Sequence, residues 1–257
     1  MVILKTKEEI ATIREAGKIL YGAMQLVEEK IQPGITTEEI DLIVENYIIE
    51  HDATPSFKGF QGFPRSICTS VGSQVVHGIP GDRVLKAGEI VSIDIGVNKN
   101  GYHSDSAKTF VLGDVDDEVR RLVDVTEKAL YLGIAEATVG NNIGDISRAI
   151  QTHAESNGFA VVRQLVGHGL GRSLHEDPKV PNFVERDPGP ELEKGMVLAI
   201  EPMINMEEVD VLTEQDGWTI VTKDGKPSAH FEHTIVILET GPKILTNGTS
   251  INWEDII

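Results

Sequence analysis

Apolar side chains near the start of the chain recur at spacings of three and four, or sums of these, which predicts two amphipathic helices. Thr6 and Glu9 form a capping-box pair at the start of the first helix, and residues 32–34 (QPG) end it. Thr36 and Glu39 form the same pair at the start of the second helix. The apolar positions are Ile10, Ile13, Leu20, Met24, Val27 and Ile31 in the first helix, and Ile40, Ile43, Val44 and Tyr47 in the second.

Beyond the second helix the apolar positions form short runs between turn residues, a pattern typical of β-strands. A loop with three phenylalanines (residues 57–64, FKGFQGFP) precedes the strands predicted at residues 66–71, 89–97 and 106–112. The order then repeats, with helices predicted at residues 116–138 and 143–157 and strands at residues 159–162, 196–204, 218–222 and 231–238. This repeated order predicts a single α+β domain over residues 1–257, with a central antiparallel sheet, outer helices and two pseudo-symmetric halves (about 1–115 and 116–257).

Composition narrows the class of protein. The 257 residues suffice for a substantial core, and 40% hydrophobic with 25% charged residues is ordinary for a globular protein. With 23 basic and 41 acidic side chains the net charge is −18, which argues against nucleic acid or an anionic membrane as a partner. No apolar run approaches the ~20 residues of a membrane span, and the start (MVILKTKEEI) has no signal-peptide core. A lone cysteine, Cys68, allows no intrachain disulfide, so we expect a cytoplasmic protein.

Two aspartates flank a predicted hairpin in residues 89–112 that turns in the sequence NKNGY. If the Asn-Gly pair is the turn centre, Asp94 and Asp105 lie opposite Ala107 and Gly96, respectively. If the centre lies one residue earlier, the two aspartates lie opposite each other. Both registers place the carboxylates on one face, because side chains alternate along a strand. Adjacent carboxylates repel each other unless a proton or a cation separates them.

Glu201 (in LAIEPMI) and Glu232 (in HFEHTIVI) are two further acids in apolar strands. Asp105 alone could be a polar strand-end residue, and one buried acid could pair with Arg or Lys. Four acids with no Lys or Arg immediately beside them indicate divalent cations. The segment LVGHGLGRSLHED (165–177) adds His168 and His175 among glycines. From their spacing alone, each histidine could bind a metal, act on a substrate or lie in a turn. Carboxylates with one imidazole favour Mn, Fe, Co or a catalytic Zn pair, and four carboxylates favour two ions.

Five motifs follow one another along the chain: HGIP (77–80), SIDIGVNKNGYHSDSAKTF (92–110), GHGLGRSLHEDP (167–178), IEPM (200–203) and FEHT (231–234). Together they resemble the motifs of type I methionine aminopeptidases. The resemblance runs from the first helix to about residue 248, and it is specific only in combination. It implies the pita-bread fold, in which two related halves surround a central site.

The resemblance also implies a role for each candidate metal ligand. Asp94 and Asp105 would bind two divalent ions (Co, Mn, Fe or Zn) from the hairpin, with Asp105 bridging them. His168 and Glu201 would complete the shell of one ion, and Glu232 would bridge both. Water between the ions would attack the scissile carbonyl, with Glu201 as general base or proton relay.

The substrate implied by the resemblance is the N-terminal methionine of nascent polypeptides, with a small second residue (Ala, Gly, Ser, Thr, Pro, Val or Cys) preferred. His175 would stabilise the oxyanion that develops on the scissile carbonyl, and His77 would contact the substrate near the scissile nitrogen. A thioether suits an aromatic pocket. The residues implied to line the methionine pocket are Phe57, Phe60, Phe63, Cys68, Leu174 and Trp218.

The chain departs from its relatives in this pocket, because they often carry tyrosine at Phe60 and Phe63, histidine at Gln61 and phenylalanine at Leu174. These differences affect the shape of the pocket and remove no metal ligand. The resemblance further implies one monovalent cation, held by backbone carbonyl groups near Gly72, Gln74 and Ser228. The remaining histidines are expected to have surface or structural roles: His51, His103, His153, His230 and His233.

Three alternatives are weighed against this hypothesis. Enzymes of the same fold that cleave Xaa-Pro bonds usually carry a large extra N-terminal domain, whereas this chain starts almost at the first helix. A metal-free binding protein would have lost ligands, and here all five positions hold ligating residues. Type II relatives carry a helical insertion for which there is no room between Glu201 and Glu232.

We expect a monomer that meets nascent chains through transient ribosome association, with no nucleic acid bound directly and no membrane contact.

Overall fold

The computed structural model describes residues 1–249. The helices of this region lie in two pairs along the chain: α1 (Lys7–Lys30), α2 (Thr37–Glu50), α3 (Asp117–Glu136) and α4 (Ile143–Ser156). A short 3₁₀ turn, Phe60–Gly62, lies in the phenylalanine-rich loop. The four predicted helices are confirmed, since the observed ends lie within two residues of those expected.

Reciprocal capping explains where three of the helices begin. The Thr6 hydroxyl accepts a hydrogen bond from the Glu9 amide at 3.3 Å, and the Glu9 carboxylate accepts one from the Thr6 amide at 3.0 Å. Thr36 and Glu39 repeat this arrangement at the start of α2, and Asn142 begins α4 in the same way. Each cap satisfies amides that the helix itself leaves unpaired, an effect worth about 1 kcal/mol.

The strands are short and follow each helix pair. In chain order they are β1 (Thr54–Pro55), β2 (Ile67–Val71), β3 (Gln74–Val76), β4 (Ile90–Lys99), β5 (Tyr102–Val111), β6 (Ala160–Val161), β7 (Gly167–Gly169), β8 (Glu176–Val180), β9 (Val197–Ile200), β10 (Met203–Asn205), β11 (Val211–Thr213), β12 (Ile220–Thr222), β13 (Ser228–His230), β14 (His233–Leu238) and β15 (Gly241–Ile244). All the pairings between these strands are antiparallel.

Two larger sheets carry most of the architecture. In the first, β4 pairs with β5 along one edge and with β2 and β1 along the other; in the second, the order is β15-β14-β9-β7-β8. Two smaller sheets, β13-β10-β6 and β11-β12-β3, complete the set. One hydrophobic core lies between α1, α2 and the first sheet, and another lies between α3, α4 and the strands of the second half. Helices therefore cover the outer faces, and the strands meet in the middle.

The strand predicted at residues 196–204 is interrupted in the structure. Glu201 and Pro202 separate β9 from β10, and Phe231 and Glu232 separate β13 from β14. The interruptions lie opposite each other, because β9 pairs with β14 and β10 pairs with β13. Proline cannot donate a hydrogen bond to a strand ladder, so the chain leaves one sheet at this point and enters the next.

Within residues 1–249, none of the helices combines the length and the apolar surface that crossing a membrane would require.

Candidate functional site

A cavity of about 160 Å³ lies where the β4–β5 hairpin meets the two strand interruptions. Every residue expected to bind a divalent metal, act in catalysis or contact the substrate lines it. The lining consists of Phe57, Phe60, Gln61, Phe63, Cys68, His77, Asp94, Asp105, His168, Leu174, His175, Glu201, Trp218 and Glu232. Residues from most of the chain length thus converge on one space.

The β4–β5 hairpin supplies two of the acids. It turns at Asn100 and Gly101, whose φ angles of 53° and 81° are the positive values that a two-residue type I′ turn requires. Asp94 therefore lies opposite Ala107, and the alternative register with the earlier turn centre is wrong. Asp105 follows on the neighbouring strand, and both aspartates reach the cavity.

The two strand interruptions supply the other acids. Glu232 is linked to the hairpin, since its amide donates to the Ala107 carbonyl at 2.9 Å and its carbonyl accepts from the Ser106 hydroxyl at 2.6 Å. The carbonyl of Glu201 accepts a hydrogen bond from the Asn182 side chain at 2.9 Å. Because both glutamates leave the regular ladder, their side chains point into the space between the sheets. Sequence reasoning placed these acids inside continuous strands, and that interpretation was wrong.

A hydrogen bond to the neighbouring backbone orients the ring of His168. Its Nδ1 donates to the Gly169 carbonyl at 2.8 Å, so Nε2 keeps its lone pair and faces the acids. Nε2 lies 3.5 Å from Oε1 of Glu201. Ligand atoms of Asp105, His168 and Glu232 all lie within 4.8 Å of one another. Burial lowers the pKa of His168 to about 3, so the ring is neutral and able to bind a cation.

Three carboxylate oxygens in this cluster are buried without a hydrogen-bond partner among residues 1–249: Asp94 Oδ1, Asp105 Oδ1 and Glu232 Oε1. An unpaired buried acceptor costs roughly 1–3 kcal/mol, and a charged one costs more. Oxygen atoms left free in this way around one imidazole match the ligands preferred by Mn, Fe, Co and catalytic Zn ions. The residues therefore fit divalent cations.

The electrostatics of the acids point the same way. Burial raises the pKa of Asp94 to about 7, against a hydrogen bond with Asp105 that lowers it. Burial also raises the pKa of Asp105 well above its usual range, and the charges of Glu232 and Asp94 raise it further. The pKa values of Glu201 and Glu232 are also raised well above the usual range, mainly by burial and to a smaller extent by the charges of the neighbouring acids. Without cations the cluster retains protons; positive charge would allow it to ionise.

Two more histidines flank the acids. The His175 ring is exposed at the cavity mouth and makes edge contacts with the rings of His168 (4.3 Å between centroids) and Phe60 (5.3 Å). His77 adopts a left-handed backbone conformation, with φ of 59°, which is uncommon outside glycine and concentrates at functional sites. Burial, followed by the charge of His175, lowers the pKa of His77 to about 4.

The opposite wall of the cavity is apolar. Phe63 and Trp218 meet edge to face with ring centroids 5.2 Å apart. The cluster comprises buried Phe57, Phe63, Cys68 and Leu174, with Phe60, Ile79 and Trp218 partly buried against them. All six residues expected in the methionine pocket belong to it, which creates a space that is apolar on one side and rich in carboxylates on the other.

Sequence reasoning missed two residues of this site. His230 was expected to have an ordinary role, yet it is 2% exposed and its Nε2 lies 3.7 Å from Oε2 of Glu201. Burial lowers the pKa of His230 to about 3. Its position two residues before Glu232 was the available signal. Gln61, noted only as a departure from relatives, lines the cavity with a positive φ of 49°.

Gly72 and Ser228, two residues near the expected monovalent-cation position, lie together. The Ser228 amide donates to the Gly72 carbonyl at 3.0 Å. The Gln74 side chain accepts a hydrogen bond from the Val71 amide at 2.8 Å. The structure thus brings these segments together.

Comparison with known proteins gives a consistent result. The model of metallopeptidase family M24 matches residues 11–239. The chain is 56% identical to a methionine aminopeptidase of Clostridium perfringens over 96% of its own length and 99% of that protein. It is 52% identical to methionine aminopeptidase 1 of Bacillus subtilis over the same shares of the two chains.

Solved structures agree with the sequence relatives. The crystal structure of a methionine aminopeptidase from Thermotoga maritima superimposes with a TM-score of 0.94 at 43% identity, covering 96% of this chain and all of that one. A prolidase from Pyrococcus furiosus superimposes with a TM-score of 0.75 at 25% identity, but this chain covers only 66% of it. The likeness to the prolidase thus extends over the shared fold and leaves a third of the longer enzyme unmatched.

Proposed function

This chain belongs to metallopeptidase family M24, and from that premise we propose that it removes the N-terminal methionine from peptides and nascent proteins by metal-dependent hydrolysis. The enzyme is a methionine aminopeptidase with the pita-bread fold, since relatives of that name match it over nearly their whole length. The observation that carries the assignment to this site is the group of unpaired carboxylate oxygens around His168, next to an apolar pocket.

The metal ligands we propose are Asp94, Asp105, His168, Glu201 and Glu232, holding two divalent ions. Bound there, the ions supply an activated water molecule and polarise the scissile carbonyl. The close approach of Asp105, His168 and Glu232 supports this ligand set, and so does the 3.5 Å separation of His168 from Glu201. Co, Mn, Fe and Zn all suit these donors.

Glu201 is the proposed general base. Its second oxygen is not engaged with His168, and its raised pKa suits a carboxylate that takes a proton and releases it again during one turnover. With cations bound in the site that pKa would be lower, and Glu201 would be ionised at the start of the reaction. The proton that it accepts then goes to the leaving amine of the shortened peptide.

His175 and His77 are the proposed contacts to the scissile peptide group. His175 lies at the cavity mouth beside His168, so its ring can donate to the carbonyl oxygen as negative charge develops. His77 lies on the same rim, within range of the charge of His175, and contacts the scissile nitrogen. These two rings hold the substrate's reacting bond over the acids.

The apolar cluster is the proposed site for the methionine side chain. A thioether packs favourably against aromatic edges, and Phe63 with Trp218 presents two such rings. The side chain enters the space among these apolar residues, whereas the rest of the peptide extends out through the mouth near His175. A small second residue, crowded by the two histidines at that point, is the preferred neighbour.

Further proposals follow from the same premise. We place one monovalent cation at the carbonyl groups near Gly72, Gln74 and Ser228. The two halves of the chain, about 1–115 and 116–257, act as one catalytic domain because each supplies part of the ligand set. A monomeric enzyme acting in the cytoplasm, in transient contact with ribosomes, fits a substrate that is a newly made N-terminus.

Hydrolysis of the tripeptide Met-Ala-Ser tests the function. Purified protein loaded with Mn, Co or Fe is expected to release methionine, and Glu201→Gln is expected to abolish turnover while its circular dichroism spectrum stays unchanged. A working enzyme of known activity serves as the positive control for the assay. Preferential cleavage of Leu-Pro or Ala-Pro dipeptides would favour the prolidase activity, and no release with any of the metals would overturn the proposal.

A further inference from the structure

One ion pair in the structure differs from the rest by its burial. Nζ of Lys5 lies 2.6 Å from Oε2 of Glu176, and their side chains are only 4% and 9% exposed. Every other pair between Lys or Arg and an acid within residues 1–249 has at least one side chain that is 30% exposed or more. Burying such a pair carries a desolvation penalty that can exceed the attraction between the charges. Stability alone is therefore a poor explanation for it.

The carboxylate partner is the residue that follows His175. While Oε2 of Glu176 binds Lys5, Oε1 accepts a hydrogen bond from the Ser173 amide at 3.1 Å. Glu176 also lies opposite Gly169 where β7 and β8 begin to pair. Glu176 thus contacts the middle of the loop that carries His175 through its side chain, and the start of that loop through its backbone.

Lys5 presses this loop from one side. Its amide donates to the Gly195 carbonyl at 2.8 Å, which anchors the segment before α1 to the second sheet. Its stem runs so close to Gly171 that a Cβ atom there would lie 2.4 Å from Lys5 Cε. On the other side, the Gly171 carbonyl accepts from the His103 amide at 2.8 Å, in the hairpin that carries Asp105. The loop is clamped between the amino-terminal segment and the metal-binding hairpin.

The His175 ring itself has little to hold it. The residue is exposed, and within the described part of the chain its ring makes no hydrogen bond; its ring meets the rings of Phe60 and His168 edge to face. The direction in which it points therefore depends on the backbone of the loop. That backbone is fixed by Glu176 and, through it, by Lys5.

We propose that Lys5 and Glu176 are positioning residues for the hydrolysis: their buried ion pair holds the loop of residues 170–176 so that His175 faces the scissile carbonyl. This inference rests on the proposed function, in which His175 stabilises the developing oxyanion. Misplacing such a donor by about 1 Å can cost as much as a hundredfold in rate.

Steady-state kinetics on Met-Ala-Ser test the proposal with Glu176→Gln and Lys5→Met. Each is expected to lower kcat by roughly tenfold or more, with a smaller effect on KM and with the full metal content by elemental analysis. Lys223→Met is the matched control, because it breaks the pair with Asp210 on the surface, where both side chains are about half exposed. It is expected to leave kcat unchanged.

The decisive comparison uses His175→Ala as the background. If the ion pair acts through His175, adding Glu176→Gln to His175→Ala changes kcat by less than about twofold, since coupled residues are not additive. The same tenfold loss in both backgrounds would overturn the proposal, and so would wild-type kcat in both single variants.

A second measurement does not depend on activity. The ring resonances of His175, assigned by their loss in His175→Ala, are expected to be single and sharp in the wild type and in Lys223→Met, and shifted or broadened in Glu176→Gln. If the wild type failed to release methionine, the proposed function would fall, while this spectrum would still show whether the ion pair orients the ring. Unchanged His175 resonances in Glu176→Gln would overturn the inference even if Lys5→Met failed to fold.

Discussion

The ring centroids of His168 and His175 lie 4.3 Å apart, but the two rings are held in place by different contacts. The ring of His168 is fixed by a hydrogen bond to Gly169 and faces Glu201, whereas His175 lies exposed at the mouth. This difference predicts that substituting the two histidines has different effects, one on metal binding and the other on the rate of hydrolysis. His168→Ala removes a proposed metal ligand, and His175→Ala removes a proposed oxyanion donor.

We therefore expect His168→Ala to bind metal more weakly, and His175→Ala to keep two ions per chain while its kcat falls by about a hundredfold or more. Calorimetric titration with Mn measures the first effect, and kinetics at saturating metal measure the second. The prediction is contradicted if excess metal restores His175→Ala, or if His168→Ala retains wild-type affinity.

At the level of single residues, the sequence identified acids and histidines whose chemistry is unusual for their surroundings. The shared orientation of Asp94 and Asp105 could be predicted, because side chains alternate along the strands of a hairpin and this alternation fixes which of them share a face. The place of His230 in the site could not be predicted in this way. Its contact with Glu201 joins two separate strands, and only the pairing of β10 with β13 brings them together.

The elements were predictable to different degrees. The helices follow from apolar spacing and from capping pairs, both of which are local properties of the chain. The interruption at Glu201 is not evident from the local pattern, because the apolar residues continue on both sides of the Glu-Pro pair. Pro202 was the only sequence signal, and it marks one of the two interruptions.

The β4–β5 hairpin offers a test at this scale. Gly101 has φ of 81° and an unobstructed position for a Cβ atom, so Gly101→Ala should lower the free energy of unfolding by about 1 kcal/mol through backbone strain alone. The ten paired positions of β4 and β5 hold the register of Asp94, so kcat should not change.

Chemical denaturation of Gly101→Ala and of a matched variant, Gly81→Ala, measures this effect. Gly81 also has open space and has no positive φ, so its substitution should change the free energy of unfolding by less than about 0.5 kcal/mol. A loss of activity in Gly101→Ala would show that the turn, rather than the strand pairing, sets the position of the acids.

The fold as a whole brings four acidic side chains together at its centre. Two helix pairs cover the outside, and the strands between them bring Asp94, Asp105, Glu201 and Glu232 into one cavity, where burial raises the pKa of each. The strands that form the hairpin and the second sheet thus hold the acids where water solvates them poorly. If these acids bind the metal ions as proposed, metal binding and folding are thermodynamically linked.

This linkage predicts how stability depends on pH. In the unfolded chain the acids are ionised at pH 7, but in the metal-free folded state Asp94, with a pKa of about 7, and its neighbours still hold protons. A raised folded-state pKa contributes stability at low pH that is lost as the pH rises through that pKa. The histidines have lowered pKa values, so their contribution disappears only at acid pH and is constant above about pH 7.

Between pH 7 and pH 8 the melting temperature of the metal-free enzyme should therefore fall, while the stabilisation by added Mn should grow, because cations replace the protons on the acids. Differential scanning calorimetry with chelator and with Mn measures both trends. Glu232→Gln is the control: with one buried acid fewer, its metal-free melting temperature should fall less steeply over the same interval. A metal-free melting temperature that does not fall from pH 7 to pH 8 would contradict this prediction, because it would mean that the acid cluster is already ionised at pH 7 without cations.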